Sequence, residues 1–178
     1  MSYPYIYIET GFKMDLFDER DKKGQEIAVS VIKKIFSGRT INNLEQDYSK
    51  GGIDIFLTAT TNNGSVRAYA IECKDRAFEH TAFAKPFKDK ETGIEINAGW
   101  GMDLSKYEKM LKASMNGYIP LYFNSFSDST YAFWNAIDSP HTFGKYKAPK
   151  YTVVSSDKIW KDSAFYEFKD AILTGYTS

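Results

Sequence analysis

The chain has little cysteine, little histidine and no net charge. A single cysteine, Cys73, among 178 residues excludes a disulfide framework and favours a reducing compartment, so we predict a cytoplasmic protein. The only histidines, His80 and His141, are distant from Cys73 in sequence, which argues against a cysteine–histidine nucleophile. The 23 basic and 23 acidic residues cancel. Because non-specific DNA affinity comes mainly from phosphate neutralisation, this balance argues against a DNA-coating protein.

Long hydrophobic runs are also missing. No stretch approaches the length of a membrane span, and the first residues lack the basic and apolar regions of a signal peptide, so we expect no membrane partner. Hydrophobic residues make up 43% of the chain, which is ordinary for a globular protein. The length suits one domain with a full core, and we predict a single domain over residues 1–178.

The most informative segment present is a predicted β-hairpin. Asp54 opens an apolar run, a polar turn containing Asn63-Gly64 follows, and a second apolar run ends in Glu72-Cys73-Lys74. Strand side chains alternate between faces, so Glu72 and Lys74 share one face and Cys73 points to the other. If the two strand ends pair, Asp54, Glu72 and Lys74 lie together on one small patch.

This patch has two interpretations. Charged residues at strand ends are usually solvated salt-bridge partners. Here, however, Glu72 and Lys74 end an apolar strand that we expect to be central in a sheet, where charges are costly unless they are paired or bound to metal. Two carboxylates beside an ammonium suit a hard divalent cation together with a group that handles a proton.

With these residues and the surrounding order of elements, the segment from Gly24 to Phe126 resembles the PD-(D/E)xK, or restriction endonuclease-like, nuclease superfamily. The resemblance implies that Asp54, Glu72 and the Cys73 backbone carbonyl hold Mg²⁺ and that Lys74 assists the attacking water. It also implies an α/β fold with a central mixed sheet flanked by helices and an α-β-β-β-α-β core. Ile53 departs from the pattern, since the family often has proline at this position.

The hydrophobic pattern predicts a similar order of elements without the resemblance. It predicts a helix over Asp18–Phe36 and a second helix from Asp103 to Ser114 whose apolar face carries Leu104, Tyr107, Leu111 and Met115. Residues 75–101 show no clean periodicity, and we predict a flap or insertion there. The remaining predictions are strands at Tyr3–Ile8, Ile41–Tyr48, Tyr118–Phe126, Tyr131–Ile137 and Tyr151–Ser155, and a short closing helix at Phe165–Leu173.

Other residues are weaker candidates for the site. Glu26 on the first helix is a candidate metal ligand, although a helical wheel places it opposite the apolar stripe, where solvated glutamates lie. Lys106 on the second helix, and Lys85 and Lys88 in the flap, are candidate nucleic-acid contacts, and each could equally be a solvated surface lysine. The aromatic residues of the flap either stack on splayed bases or pack the flap onto the domain.

We therefore expect a Mg²⁺-dependent deoxyribonuclease, with Mn²⁺ as a substitute metal. The small size favours cutting that is selective for structure (junctions, ends or flaps), or a partner protein that supplies specificity, and a homodimer if both DNA strands are cut. The alternative is a non-catalytic nucleic-acid-binding or assembly module that retains the nuclease fold. The intact Asp54, Glu72 and Lys74 argue against that alternative, because a binding module needs no carboxylates facing phosphates.

Overall fold

A computed structural model describes residues 16–49, 52–147 and 160–178. Two α-helices are found there, α1 (Leu16–Ile35) and α2 (Leu104–Met115), with a 3-10 helix at Phe168–Asp170. The strands are β1 (Thr40–Gln46), β2 (Ile55–Thr60), β3 (Val66–Asp75), β4 (Phe87–Lys88), β5 (Glu95–Ile96), β6 (Trp100–Asp103), β7 (Ile119–Ser125), β8 (Thr130–Asn135), β9 (Thr142–Lys147), β10 (Trp160–Tyr166) and β11 (Leu173–Tyr176). The strands predicted at Tyr3–Ile8 and Tyr151–Ser155 lie outside the described residues.

The central sheet has six strands in the order β1-β2-β3-β7-β8-β11. Its pairs are antiparallel except for β3 and β7, which run parallel and are joined through α2. The sheet is therefore mixed, and the predicted α/β class is confirmed. A second sheet, in the order β6-β10-β9, was not predicted. None of the helices in the described part of the chain is long and apolar enough to cross a membrane.

The central sheet separates two apolar clusters. On one face, α1 packs Ala28, Val31 and Ile32 against odd-numbered strand residues such as Ile71 and Phe123. On the other face, α2 and the second sheet cover even-numbered strand residues; this cluster includes Ala70, Tyr122, Trp134, Met110 and Tyr166. Alternation along the strands assigns each residue to its face, so the hydrophobic pattern specifies both layers.

The orientation of α2 differs from the prediction. Met110 and Ala113 are its buried residues, whereas Leu111 and Met115 are exposed. The stripe that faces the sheet runs Lys106, Met110, Ala113, at intervals of four and three residues, and the predicted apolar stripe is rotated away from it. This rotation carries Lys106 to the inner side of the helix.

The predicted closing helix at Phe165–Leu173 is wrong. Phe165 lies in β10, where it pairs with Gly101 of β6 and Thr142 of β9. Because β10 is the middle strand of its sheet, the consecutive residues Ala164, Phe165 and Tyr166 are all buried. A short run of buried apolar residues has no period that separates a strand from a helix, and partners distant in sequence decided the outcome.

The segment predicted as a flap, residues 75–101, is tied to the second sheet. It contains the small β4–β5 hairpin, and Lys147 of β9 forms ion pairs with Asp89 and Glu91 beside that hairpin, at 3.2 and 2.6 Å. Asn97 also donates to the Thr142 hydroxyl at 3.1 Å. These contacts hold the segment against β9.

Candidate functional site

The β2–β3 hairpin brings Asp54 and Glu72 together. The turn is closed by the hydrogen bond from the Thr61 amide to the Ser65 carbonyl, with Gly64 at a φ of +83° that favours glycine. The resulting register pairs Ile55 with Ile71. Asp54 therefore lies beside the segment that follows Ile71, and its Oδ2 accepts the Cys73 amide at 2.7 Å. Asp54 is held by the strand that carries Glu72.

Lys106 lies between the two carboxylates. Its ammonium donates to Glu72 Oε2 at 2.9 Å and to the Gly52 carbonyl at 2.6 Å, and it is 3.9 Å from Asp54 Oδ1. Because Glu72 Oε2 and Asp54 Oδ1 both lie within 4 Å of the same nitrogen, the two carboxylates are close to each other. Lys106, a predicted phosphate contact, is in this structure an inner member of the site.

Lys74 lies on the other side of Glu72. Its ammonium is 3.8 Å from Glu72 Oε1 and donates to Asp21 Oδ1 of α1 at 3.1 Å. Asp54, Glu72 and Lys74 therefore form one cluster, as the alternation of strand side chains predicts. Lys106 and Asp21 join that cluster from the two helices.

Asp21 reaches the site because α1 packs closely on the end of β3. A Cβ on Gly24 would lie 3.0 Å from the Asp75 amide, so this approach requires glycine. Asp21, Gln25, Ala28 and Ile32 form one stripe of the helix, and the last three are buried. The extension of that stripe by one turn is the sequence signal that could have identified Asp21.

Glu26, the candidate metal ligand on this helix, is exposed. At about 100° per residue it lies roughly 140° around the helix from Asp21. The structure therefore does not bring Glu26 to the cluster, and the α1 carboxylate in contact with Lys74 is that of Asp21.

Burial raises the pKa of both carboxyl groups. For Glu72, burial and the nearby charge of Asp54 outweigh Lys74 and Lys106 and raise the pKa to about 7. Burial likewise raises the pKa of Asp54, although the hydrogen bond from the Cys73 amide and the positive charge of Lys106 act to lower it. Raised values in both groups mean that burial disfavours the ionised carboxylates by more than the two lysines favour them.

Lys74 remains an ammonium at neutral pH. Burial acts to lower its pKa, but the carboxylates of Glu72, Asp21 and Asp54 outweigh burial and raise the pKa above the ordinary lysine value. A lysine held in this way can orient a water molecule and offset developing negative charge. It is a poor base while those carboxylates stay ionised.

Tyr146 of β9 senses the charges of the site. Burial raises the pKa of its phenol, while the positive charges of Arg76 and Lys74 act to lower it. Arg76 follows β3 and donates to the Gly101 carbonyl at 2.7 Å, linking the strand end to the second sheet.

The donor set fits one hard divalent cation. Glu72 Oε1 is buried and has no hydrogen-bond partner, so one carboxylate oxygen is available. A strand residue directs its amide and carbonyl to the same neighbouring strand, so the Cys73 carbonyl faces the side on which Asp54 accepts the Cys73 amide. Mg²⁺ commonly binds one or two carboxylates and keeps several waters. Among the described residues, no group of three or more histidine, cysteine, aspartate or glutamate side chains is placed to hold a metal ion.

The flap residues divide into an inner and an outer set. Phe83 and Trp100 pack together, with ring centroids 4.9 Å apart, and belong to the apolar cluster under α2. Phe78 and Phe87 are 48% and 42% exposed, on the same surface segment as the exposed Lys85 and Lys88. Phe78 and Phe87 each pack one side of the ring against Phe83, with ring centroids 5.5 Å apart, and leave part of the ring exposed.

Comparison of the chain with protein-family models, curated proteins and solved structures found no match.

Proposed function

We propose that this protein is a Mg²⁺-dependent nuclease that hydrolyses phosphodiester bonds in DNA, on a fold of the restriction endonuclease-like type. The observation that carries the proposal is the geometry at the end of the β2–β3 hairpin: two buried carboxylates share a cation, and a buried Glu72 oxygen accepts no hydrogen bond. With β4, β5 and β6 left out as an insertion between β3 and α2, the element order α1-β1-β2-β3-α2-β7 agrees with the core of that fold.

In this proposal, Asp54, Glu72 and the Cys73 carbonyl hold the metal. Bound Mg²⁺ would offset the charge of the scissile phosphate and lower the pKa of a bound water, so that the water loses a proton to solvent and the resulting hydroxide is the nucleophile. Lys74, kept protonated by Glu72 and Asp21, orients that water and stabilises the negative charge that develops on the phosphate. The exposed Lys85, Lys88 and outer flap phenylalanines contact the nucleic acid beyond the cut site. An open aromatic surface of this kind suits unpaired bases at ends, flaps or junctions.

The test is a substrate panel. Labelled linear, nicked, branched and single-stranded DNA, with matched RNA strands, are incubated with Mg²⁺, Mn²⁺ or EDTA. The expected result is metal-dependent cleavage of at least one DNA substrate, absent in EDTA and absent with Asp54→Asn. Failure of wild-type protein to cut any substrate with either metal contradicts the proposal.

One observation favours the alternative of a non-catalytic binding or assembly module. The Lys106 ammonium already contacts both carboxylates, so the cluster has a cation without metal. Such a module binds nucleic acid equally well in EDTA and in Mg²⁺ and cuts nothing. Gel-shift titrations under both conditions, run beside the cleavage panel, separate the two functions.

A further inference from the structure

The position of Lys106 in the cluster is that of a bound cation. Its ammonium is within 4 Å of both carboxylates and of the Gly52 carbonyl, three oxygens that come from the segment before β2 and from β3. These are the kinds of ligand that a hard metal ion takes in proteins. Lys106 lies on the inner stripe of α2, so the helix delivers the ammonium to this point.

A metal ion and this ammonium compete for the same charges. Glu72 Oε2 accepts a hydrogen bond from the Lys106 ammonium at 2.9 Å. The hydrogen of this bond occupies the direction from which a metal would bind the oxygen. A divalent ion bound to Asp54 and Glu72 would also repel a positive charge held at this distance. Lys74 differs, because its contact with Asp21 at 3.1 Å holds it on the far side of Glu72.

We propose that the Lys106 ammonium is a built-in competitor for the metal position, and that a divalent cation binds the site only when Lys106 leaves it. The inference rests on the metal site of the proposed function. The Lys106 side chain is 19% exposed, so it is in contact with solvent while its ammonium is in the cluster. A phosphate of the substrate is a charge-assisted partner for the released ammonium. Metal and nucleic acid therefore strengthen each other's binding, by the same factor in both directions.

The test measures metal affinity rather than cleavage. Mg²⁺ and Mn²⁺ are titrated calorimetrically at pH 8.0 into wild-type protein, Lys106→Met and Lys112→Met, the last being an exposed lysine of the same helix. The expected result is at least tenfold tighter Mn²⁺ binding by Lys106→Met and unchanged binding by Lys112→Met. Equal or weaker Mn²⁺ binding by Lys106→Met overturns the proposal.

A second variant covers the case in which Lys106→Met fails to fold. Lys106→Gln keeps a donor near the Gly52 carbonyl but removes the charge, and the rise of its melting temperature with Mn²⁺ concentration reports the same affinity. A rise that begins at a lower Mn²⁺ concentration than in wild type supports the proposal, and an identical or later rise overturns it.

The two proposals fail separately. If the wild-type protein cleaves DNA and both Lys106 variants bind metal with unchanged affinity, the proposal that Lys106 competes with the metal is contradicted and the proposed nuclease function is supported. If Lys106→Met binds metal more tightly but the wild-type protein cuts no substrate, the proposed nuclease function is contradicted and the competition between Lys106 and the metal is supported.

Discussion

The two faces of the central sheet have different contents, although they are formed by the same strands. The α1 face is apolar along β3, where Ile71 and Cys73 are fully buried among Ile32 and Phe123. The α2 face is apolar at Ala70 but carries Glu72 and Lys74 at the next two positions of its alternation. One strand thus contributes to the apolar core through one face and to the candidate site through the other, and the boundary lies between adjacent residues.

The largest effect is expected from the charged face. Glu72→Gln removes a proposed metal ligand while preserving shape, so we expect cleavage to fall by on the order of 10³-fold or more. The fold should persist, because a neutral amide is easier to bury than a carboxylate. Single-turnover cleavage and circular dichroism measure the two effects, with the exposed Glu108→Gln on α2 as control. Unfolding of Glu72→Gln would make Glu72 structural.

A smaller loss is expected from Lys74→Met. If Lys74 stabilises the transition state, kcat should fall by about 10²-fold while substrate binding changes much less. Lys23→Met is the matched control, because Lys23 pairs with Asp75 at 3.2 Å on the opposite face of β3. Near wild-type turnover by Lys74→Met would remove this lysine from the mechanism.

Stability should depend on pH through the charged face. Folded Glu72 holds its proton more tightly than unfolded glutamate, so its contribution to stability is present below pH 4.5 and is lost as the pH rises through about 7. In EDTA we expect the unfolding free energy to drop by on the order of 3 kcal/mol across this range. Urea titrations at several pH values measure the drop, which Glu72→Gln should reduce. A drop of the same size in that variant would assign it to other groups.

The smallest effect is expected one residue away, on the apolar face. Cys73→Ala removes one buried sulfur atom, so we expect a stability loss of about 1 kcal/mol with cleavage unchanged. Burial also raises the pKa of the Cys73 thiol, so thiol reagents should react slowly with the native protein. Chemical denaturation and the rate of labelling check both statements. Fast labelling would show that Cys73 does not face the α1 cluster.

The local sequence pattern was enough to predict the β2–β3 hairpin and the charged residues at its end. The alternation along β2 and β3, with a turn at Gly64, places Asp54, Glu72 and Lys74 on one face without any contact between elements distant in sequence. The amphipathic pattern of α1 and the order of helices and strands around the hairpin also gave the α/β class. These features depend on neighbours close in the chain.

Long-range packing decided the rest. Lys106 is 34 residues from Glu72, and Asp21 is 53 residues from Lys74. Their arrival depends on the rotation of α2 and on the close approach of α1 at Gly24, neither of which a periodic pattern specifies. The same holds for β10. Its residues Phe165 and Tyr166 were predicted to begin a helix, but pairing with β6 and β9 makes them part of a strand. The sequence by itself determined which charges share a strand face, because strand geometry is local. Only the tertiary structure decided which charges compensate them, because that depends on how separate elements pack.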